Sequence, residues 1–363
     1  MSDSELETLI DEKLALDLDA LANALLADCP YELYWYDKTS GCQMSYAYSW
    51  LSYDTGEITQ VDVKEMAFRF VVAAAYRSTS TDAYTVSDTF ASAAAKTVDY
   101  AQAVVTANKS KSDYDKLVAY SDYICGQVVY NTEAAKADYS GGYGDPWQII
   151  YVFDSDSTTN VVCEGYAKAF QYLCDLSDFE GDVESFLVSG YADGAHMWNI
   201  VSIEGRNYLV DVTNSDAEEG EIVFGEEGLL FLAGAPGGIA DGEGYTFTNT
   251  NPVFAESPDL TYTYYYDVQY SDGTTKRIHP AVDTYGGGED SILNLSYIGY
   301  ADYLAASAAQ QEAVSTGNFS GEMRIVDPVT LENQDLSGVQ LTVSGTTLTL
   351  SGYTNLTDSS ITL

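Results

Sequence analysis

Basic side chains are scarce in this chain, where 15 lysines and arginines stand against 56 aspartates and glutamates in 363 residues, a net charge of −41. A surface of that sign repels phosphate backbones and anionic headgroups, which argues against nucleic acid and membrane surfaces as partners. The plain reading of the acidity is solubility in a crowded or salty medium, and it names no substrate. Long apolar runs are also missing. No window approaches the roughly 18–20 uninterrupted apolar residues of a membrane span. The acidic opening Met1-Ser2-Asp3-Ser4-Glu5 lacks the basic start of a secretory leader. The expectation is a soluble chain without membrane insertion. Its Thr/Ser/Asn/Tyr-rich tail points to an extracellular or cell-surface protein with a trimmed leader, with a cytoplasmic setting as the alternative.

Histidine and cysteine are rarer still. There are two histidines, His196 and His279, so imidazole chemistry has few places to be. Of five cysteines (Cys29, Cys42, Cys125, Cys163 and Cys174) at least one is unpaired within the chain, and no C-x-x-C spacing suggests zinc or redox work. Asp154-Ser155-Asp156-Ser157 starts like a calcium loop, but Thr159 stands where glycine is needed and Gly165 where a bidentate glutamate is needed. The glycine clusters at Gly141, Gly234 and Gly286 have no following Lys-Ser/Thr for phosphate. No metal and no cofactor is expected, and His279, beside Pro280, has no partner motif.

What the chain does have is apolar and aromatic material, 46% hydrophobic and 13% aromatic with 31 tyrosines, too rich for disorder. Its length suits two or three structural units. Leu6, Leu9, Ile10, Leu14, Leu18, Leu21 and Leu25 recur at helical spacing up to Pro30. Alternating runs at Ser45–Trp50 and Ala67–Val72, around a turn near Asp54-Thr55-Gly56, predict a small antiparallel sheet. Helical spacing returns over 87–108 and again from Ser112, where Leu117, Ser121, Ile124, Cys125 and Val128 form one stripe. From Thr261 onward alternating strands predominate, with a hairpin across Ser344-Gly345. The expected division is 1–110, a helix with a small sheet; 111–258, a core; and 259–363, a β-rich C-terminal module.

The chemistry concentrates in two segments. In Val161–Cys174 the apolar face runs Cys163, Tyr166, Ala167, Phe170, Leu173, Cys174, which predicts a buried helix with Cys163 in its first turn. There the helix dipole and unpaired backbone N–H groups favour a thiolate, whereas Cys125 and Cys174 read as small core residues. The second segment carries His196 in Gly194–Ile203 and Asp211 in Asn207–Val212, two apolar runs around Glu204-Gly205. With Glu204-Gly205 as a two-residue turn, Ile203 faces Arg206, Trp198 faces Asp211, and His196 is diagonal to Asp211 on one face. A slip of one residue separates those faces. A carboxylate orients an imidazole, and an imidazolium beside a helix-terminal thiol favours the ion pair that attacks carbonyl carbon.

Val162-Cys163-Glu164-Gly165-Tyr166-Ala167-Lys168-Ala169-Phe170, then Gly194–Val201, then Tyr208–Thr213, together resemble the three core motifs of the bacterial transglutaminase-like superfamily. The likeness spans about 110–235, and Ala24–Tyr31 resembles an extension of clostridial-type members. The resemblance implies an α+β papain-like/transglutaminase-like core, a helix bearing the nucleophile packed on an antiparallel sheet. It also implies Cys163 as nucleophile, His196 as general base and acid, and Asp211 as orienting carboxylate. The expected chemistry is acyl transfer on a peptide, amide or isopeptide carbonyl through a thioester, with a protein or peptide substrate. The rival reading is a catalytically inert scaffold that binds peptide or glycan at a cell surface. The Cys163 backbone N–H is the expected first oxyanion donor, with Gln148 and Trp147 as candidates for the second. Trp198 is expected to pack beside the His–Asp pair and restrict water.

Overall fold

The computed structural model describes residues 3–14, 30–37, 39–52, 58–136, 149–156, 158–191, 195–216, 230–234, 245–248, 261–264, 266–269, 275–278, 300, 304 and 340–351. They fall into two compact units, one of Met1–Ala22, Trp35–Ala91 and Asp327–Leu363, the other of Asn23–Tyr34 and Ser92–Val326. Among the described residues no helix is long and apolar enough to cross a membrane.

The first unit is built on a long antiparallel hairpin. Strand β1 (Cys42–Ser52) pairs with β2 (Ile58–Phe70) as the alternating pattern predicts, and the expected turn at Asp54-Thr55-Gly56 lies outside the described residues. The inward face of β2 changes parity, from Val61 and Val63 to Met66, Phe68 and Phe70. The register shift between Ala47 and Tyr48 explains it, because the extra residue of a bulge returns the apolar side chains to the same side. Helix α1 (Asp3–Leu14) buries Leu6 and Ile10, one turn apart on one face; the continuation of its leucine pattern through Leu25 lies outside the described residues. The hairpin of β10 (Gln340–Ser344) and β11 (Thr347–Ser351), from the segment expected as a β-rich module, continues this sheet in the order β1-β2-β11-β10. β11 takes the free edge of β2, pairing Leu348 with Phe68.

The second unit holds the other predicted helices, the first of them from Ser92 onward. In α2 (Asp88–Asn108) Ala94, Thr97, Ala101, Val104 and Val105 are buried, a stripe at helical spacing. Helix α3 (Asp113–Gln127) starts where Ser112 Oγ accepts from the Asp115 N–H, and it buries the predicted face from Leu117 to Cys125. Helix α4 (Cys163–Asp175) is enclosed on nearly every side, and even Glu164 and Lys168 are buried. Two charges reach the interior only as a pair, and Lys168 Nζ lies 2.6 Å from Glu164 Oε1 one turn away.

Beneath α4 lies a three-stranded antiparallel sheet of β3 (Val183–Tyr191), β4 (Ala195–Ile203) and β5 (Arg206–Val210), with β4 central. This is an α+β core in which the helix bearing Cys163 packs on an antiparallel sheet. The register of β4 on β5 is the expected one, with Ile203 opposite Arg206 across Glu204-Gly205. Both turn residues have positive φ, 52° and 74°, which a two-residue hairpin turn requires. After β5 comes a one-turn helix, α5 (Val212–Ser215). Short hairpins of β6 (Tyr245–Thr248) with β7 (Thr261–Tyr264) and β8 (Tyr266–Gln269) with β9 (Thr275–Ile278) follow.

Candidate active site

Cys163 is the first residue of α4, and no side chain caps that helix at Val162. The side chain is partly exposed and outside any disulfide. Its placement depends on the residues just before it. Val161 makes a parallel bridge with Tyr130, and its carbonyl accepts from the Asn131 N–H at 3.0 Å, so the end of the loop is anchored to the chain leaving α3. Gly165 then lets the first turn of α4 close over Val161. A Cβ on Gly165 would lie 2.6 Å from the Val161 Cβ, a distance side chains do not tolerate. The glycine is therefore a packing requirement of the turn that presents the sulfur.

His196 and Asp211 meet across the β4–β5 hairpin. His196 Nε2 lies 2.8 Å from Asp211 Oδ2, with the imidazole 8% and the carboxylate 0% exposed. Asp211 has a second task, because its Oδ1 accepts the Asn214 N–H at 3.1 Å and so caps α5. The Cys163 side chain is a further hydrogen-bond partner of the same imidazole. The three residues that the sequence motifs single out are thus in one place.

The protonation of His196 follows from these neighbours. Burial opposes its charge, but the Asp211 charge and hydrogen bond, followed by the hydrogen bond and charge of Cys163, override it and push the imidazole up to about 10. Cys125 and Cys174 have no such company. Burial pushes both thiols well up, and at Cys125 the acidic Asp216 adds to that. They are core residues.

Trp198, two residues along β4, stacks on the imidazole with centroids 5.9 Å apart and planes 19° from parallel. Fully buried, it walls one side of the ring. Tyr130 stands by the same group; burial, then the charges of Cys163 and Asp211, push its hydroxyl up to about 12. Sequence reading passed over Tyr130, which follows the α3 stripe with no pattern of its own. It also passed over Asn214, three residues after Asp211, whose spacing from a capping carboxylate was the available signal. Gln148 and Trp147 lie outside the described residues.

His279 and the glycine clusters at Gly141 and Gly286 lie outside the described residues. Asp154 and Asp156 spend their carboxylates on their own loop, accepting from Asp156 N–H, Thr159 and Thr158. Among the described residues no group of three or more His, Cys, Asp or Glu side chains is arranged to hold a metal ion.

No protein-family model matches the chain. Over 118 residues it is 29% identical to the Kyphoscoliosis peptidase of Mus musculus and 28% identical to that of Homo sapiens. The match takes in 29% of this chain, and the chain spans 16% of the length of those relatives. A solved structure described as a TGase is similar over 33% of this chain and 32% of that chain, with 16% identity and a TM-score of 0.27.

Proposed function

We propose that the chain is a cysteine-nucleophile acyltransferase or hydrolase acting on a peptide, amide or isopeptide carbonyl, with Cys163, His196 and Asp211 as its catalytic triad. The observation that carries this reading is that Asp211 Oδ2 lies 2.8 Å from His196 Nε2 while the Cys163 side chain is a hydrogen-bond partner of the same imidazole. A buried carboxylate fixes the tautomer of the imidazole and stabilises it when it gains a proton. The sulfur at the start of α4 sits where helix-terminal N–H groups and the dipole favour negative charge.

In the proposed reaction His196 already holds the proton, and the Cys163 sulfur bonds to the carbonyl carbon as the thiolate of that ion pair. The C=O pair moves to oxygen, which the backbone N–H of Cys163 receives as oxyanion donor. The carbonyl reforms, the C–N bond breaks, and His196 returns its proton to the departing amine, leaving a thioester. Water or a second amine then attacks the thioester while His196 takes the attacking group's proton, the C–S bond breaks, and Cys163 leaves as the thiolate beside the protonated ring. Water gives proteolysis or deamidation, and an amine gives a cross-link. Trp198 restricts water on one side of the imidazole. The substrate class is protein or peptide, in keeping with the peptidase and TGase names of the similar proteins.

The test has two stages. Iodoacetamide should alkylate Cys163 rapidly in the wild type, and H196A should slow that reaction by on the order of a hundredfold or more. Incubation with a peptide library and a primary-amine tracer, scored by mass, then separates cleavage, deamidation and amine incorporation. Slow labelling indifferent to H196A, with no mass change in the library, would leave the inert peptide- or glycan-binding scaffold as the reading.

A further inference from the structure

We propose that Asn214 is a positioning residue of the triad, holding Asp211 by both carboxylate oxygens and sharing with His196 the one that faces the imidazole. The proposal deepens the cysteine-nucleophile reading and rests on it. Asn214 reaches Asp211 twice. Its backbone N–H donates to Oδ1 at 3.1 Å, and its side-chain Nδ2 donates to Oδ2 at 2.7 Å. The second contact is as short as the one from His196 to the same oxygen, 2.8 Å, and Nδ2 lies 3.4 Å from His196 Nε2. Two nitrogens and the one acceptor they share close a triangle.

The chemistry of the donors gives that triangle a direction. An amide NH2 only donates, so Nδ2 cannot accept from the ring, and an amide oxygen at that point would face the carboxylate. Nδ2 and Nε2–H therefore compete for Oδ2, and the partly positive amide hydrogens face the imidazolium. Both effects draw Asp211's charge away from His196. Because the two contacts fall on different oxygens, they also resist rotation of the carboxylate about its Cβ–Cγ bond.

No other described acid needs to enter this account. Among the described residues, the titratable groups that act on His196 are Asp211 at the end of β5 and Cys163 at the start of α4, and those two also act on Tyr130. On β3 the residue opposite His196 is Gly190, which contributes no charge. Asn214 is thus the neutral group placed to moderate the pair.

The experiment reads the ring directly. In an H279Q background His196 is the single histidine, and its titration can be followed by NMR in isotopically labelled full-length protein. N214L keeps most of the side-chain volume and the backbone N–H on Oδ1 but removes the side-chain donor. It should raise the His196 midpoint by about half a pH unit or more, because a hydrogen bond to a carboxylate weakens its hold on a neighbouring cation. N214A should give a smaller rise, since water can enter and donate to Oδ2, and it serves as the test if N214L does not fold. A lowered Tm with an unmoved midpoint overturns the proposal and leaves Asn214 a structural residue. A moved midpoint in a protein whose Cys163 alkylation is indifferent to H196A sinks the enzyme reading while the Asn214 assignment stands. Rapid, His196-dependent alkylation with an unmoved midpoint does the reverse.

Discussion

Asn199 Nδ2 donates to the carbonyl of Ala167 at 3.1 Å, a buried hydrogen bond that ties the strand bearing His196 to the helix bearing Cys163. On β4 Asn199 points away from His196, because neighbouring residues of a strand face opposite ways. It therefore acts on the site through the position of α4 and not by touching the imidazole.

Replacing Asn199 by leucine keeps its volume but removes the extra donor to the Ala167 carbonyl, which stays within the hydrogen-bonded interior of α4. The expected cost is about 0.5–1.5 kcal/mol in a urea titration. Alkylation of Cys163 should slow as well, because α4 loses a fixed point against β4. Loss of stability with an unchanged alkylation rate would mean that the bond holds the core but not the sulfur.

The raised titration of His196 predicts how stability varies with pH. The folded state holds the proton more tightly than the unfolded chain, whose imidazole titrates near its ordinary value of about 6.5. The stabilisation is therefore fully present below about 6.5 and is lost as pH rises towards the folded value of about 10. The melting temperature of wild type minus that of H196Q should shrink across this window. A difference that is flat or grows with pH contradicts the assignment of charge to the ring.

Gly165 should not accept alanine. The added Cβ would meet Val161 Cβ at 2.6 Å and Cγ2 at 2.8 Å, so the first turn of α4 has to shift, at about 1–3 kcal/mol. V161A in the same protein should recover only part of the loss, since it removes the Cγ contacts and keeps the Cβ. Full stability in G165A by calorimetry is the outcome that contradicts the packing.

The buried Glu164–Lys168 pair predicts a non-additive double-mutant cycle. E164Q leaves the Lys168 ammonium in the interior and should cost about 3–5 kcal/mol, and K168M does the converse for the carboxylate. The double variant E164Q/K168M should cost clearly less than the two singles together. Additive losses by chemical denaturation would show that the two charges are held by other partners.

Local codes carried much of this fold. The stripe from Cys163 to Cys174 has a period only a buried helix satisfies, and the helix starts where the stripe starts. Glu204-Gly205 joins its strands by the shortest loop a hairpin allows, so the turn sets the register and brings His196 diagonal to Asp211. In both cases a few neighbouring residues decide the geometry, because backbone sterics and side-chain period act over one or two turns of chain.

The rest needed distant parts of the chain to meet. That the Cys163 sulfur reaches His196 depends on α4 lying over β4, which Asn199, Gly165 and the packing of Val161 against Tyr130 bring about without a shared motif. That β11 takes the edge of β2 depends on which strand edge is open and which face is apolar once the first hairpin has formed. Amino-acid order alone settled where the helix of Cys163 begins and which strand residues oppose each other across a tight turn. The approach of helix to sheet, and of chain end to chain start, was decided by burial, which rewards whatever surfaces fit and carries no signature in spacing.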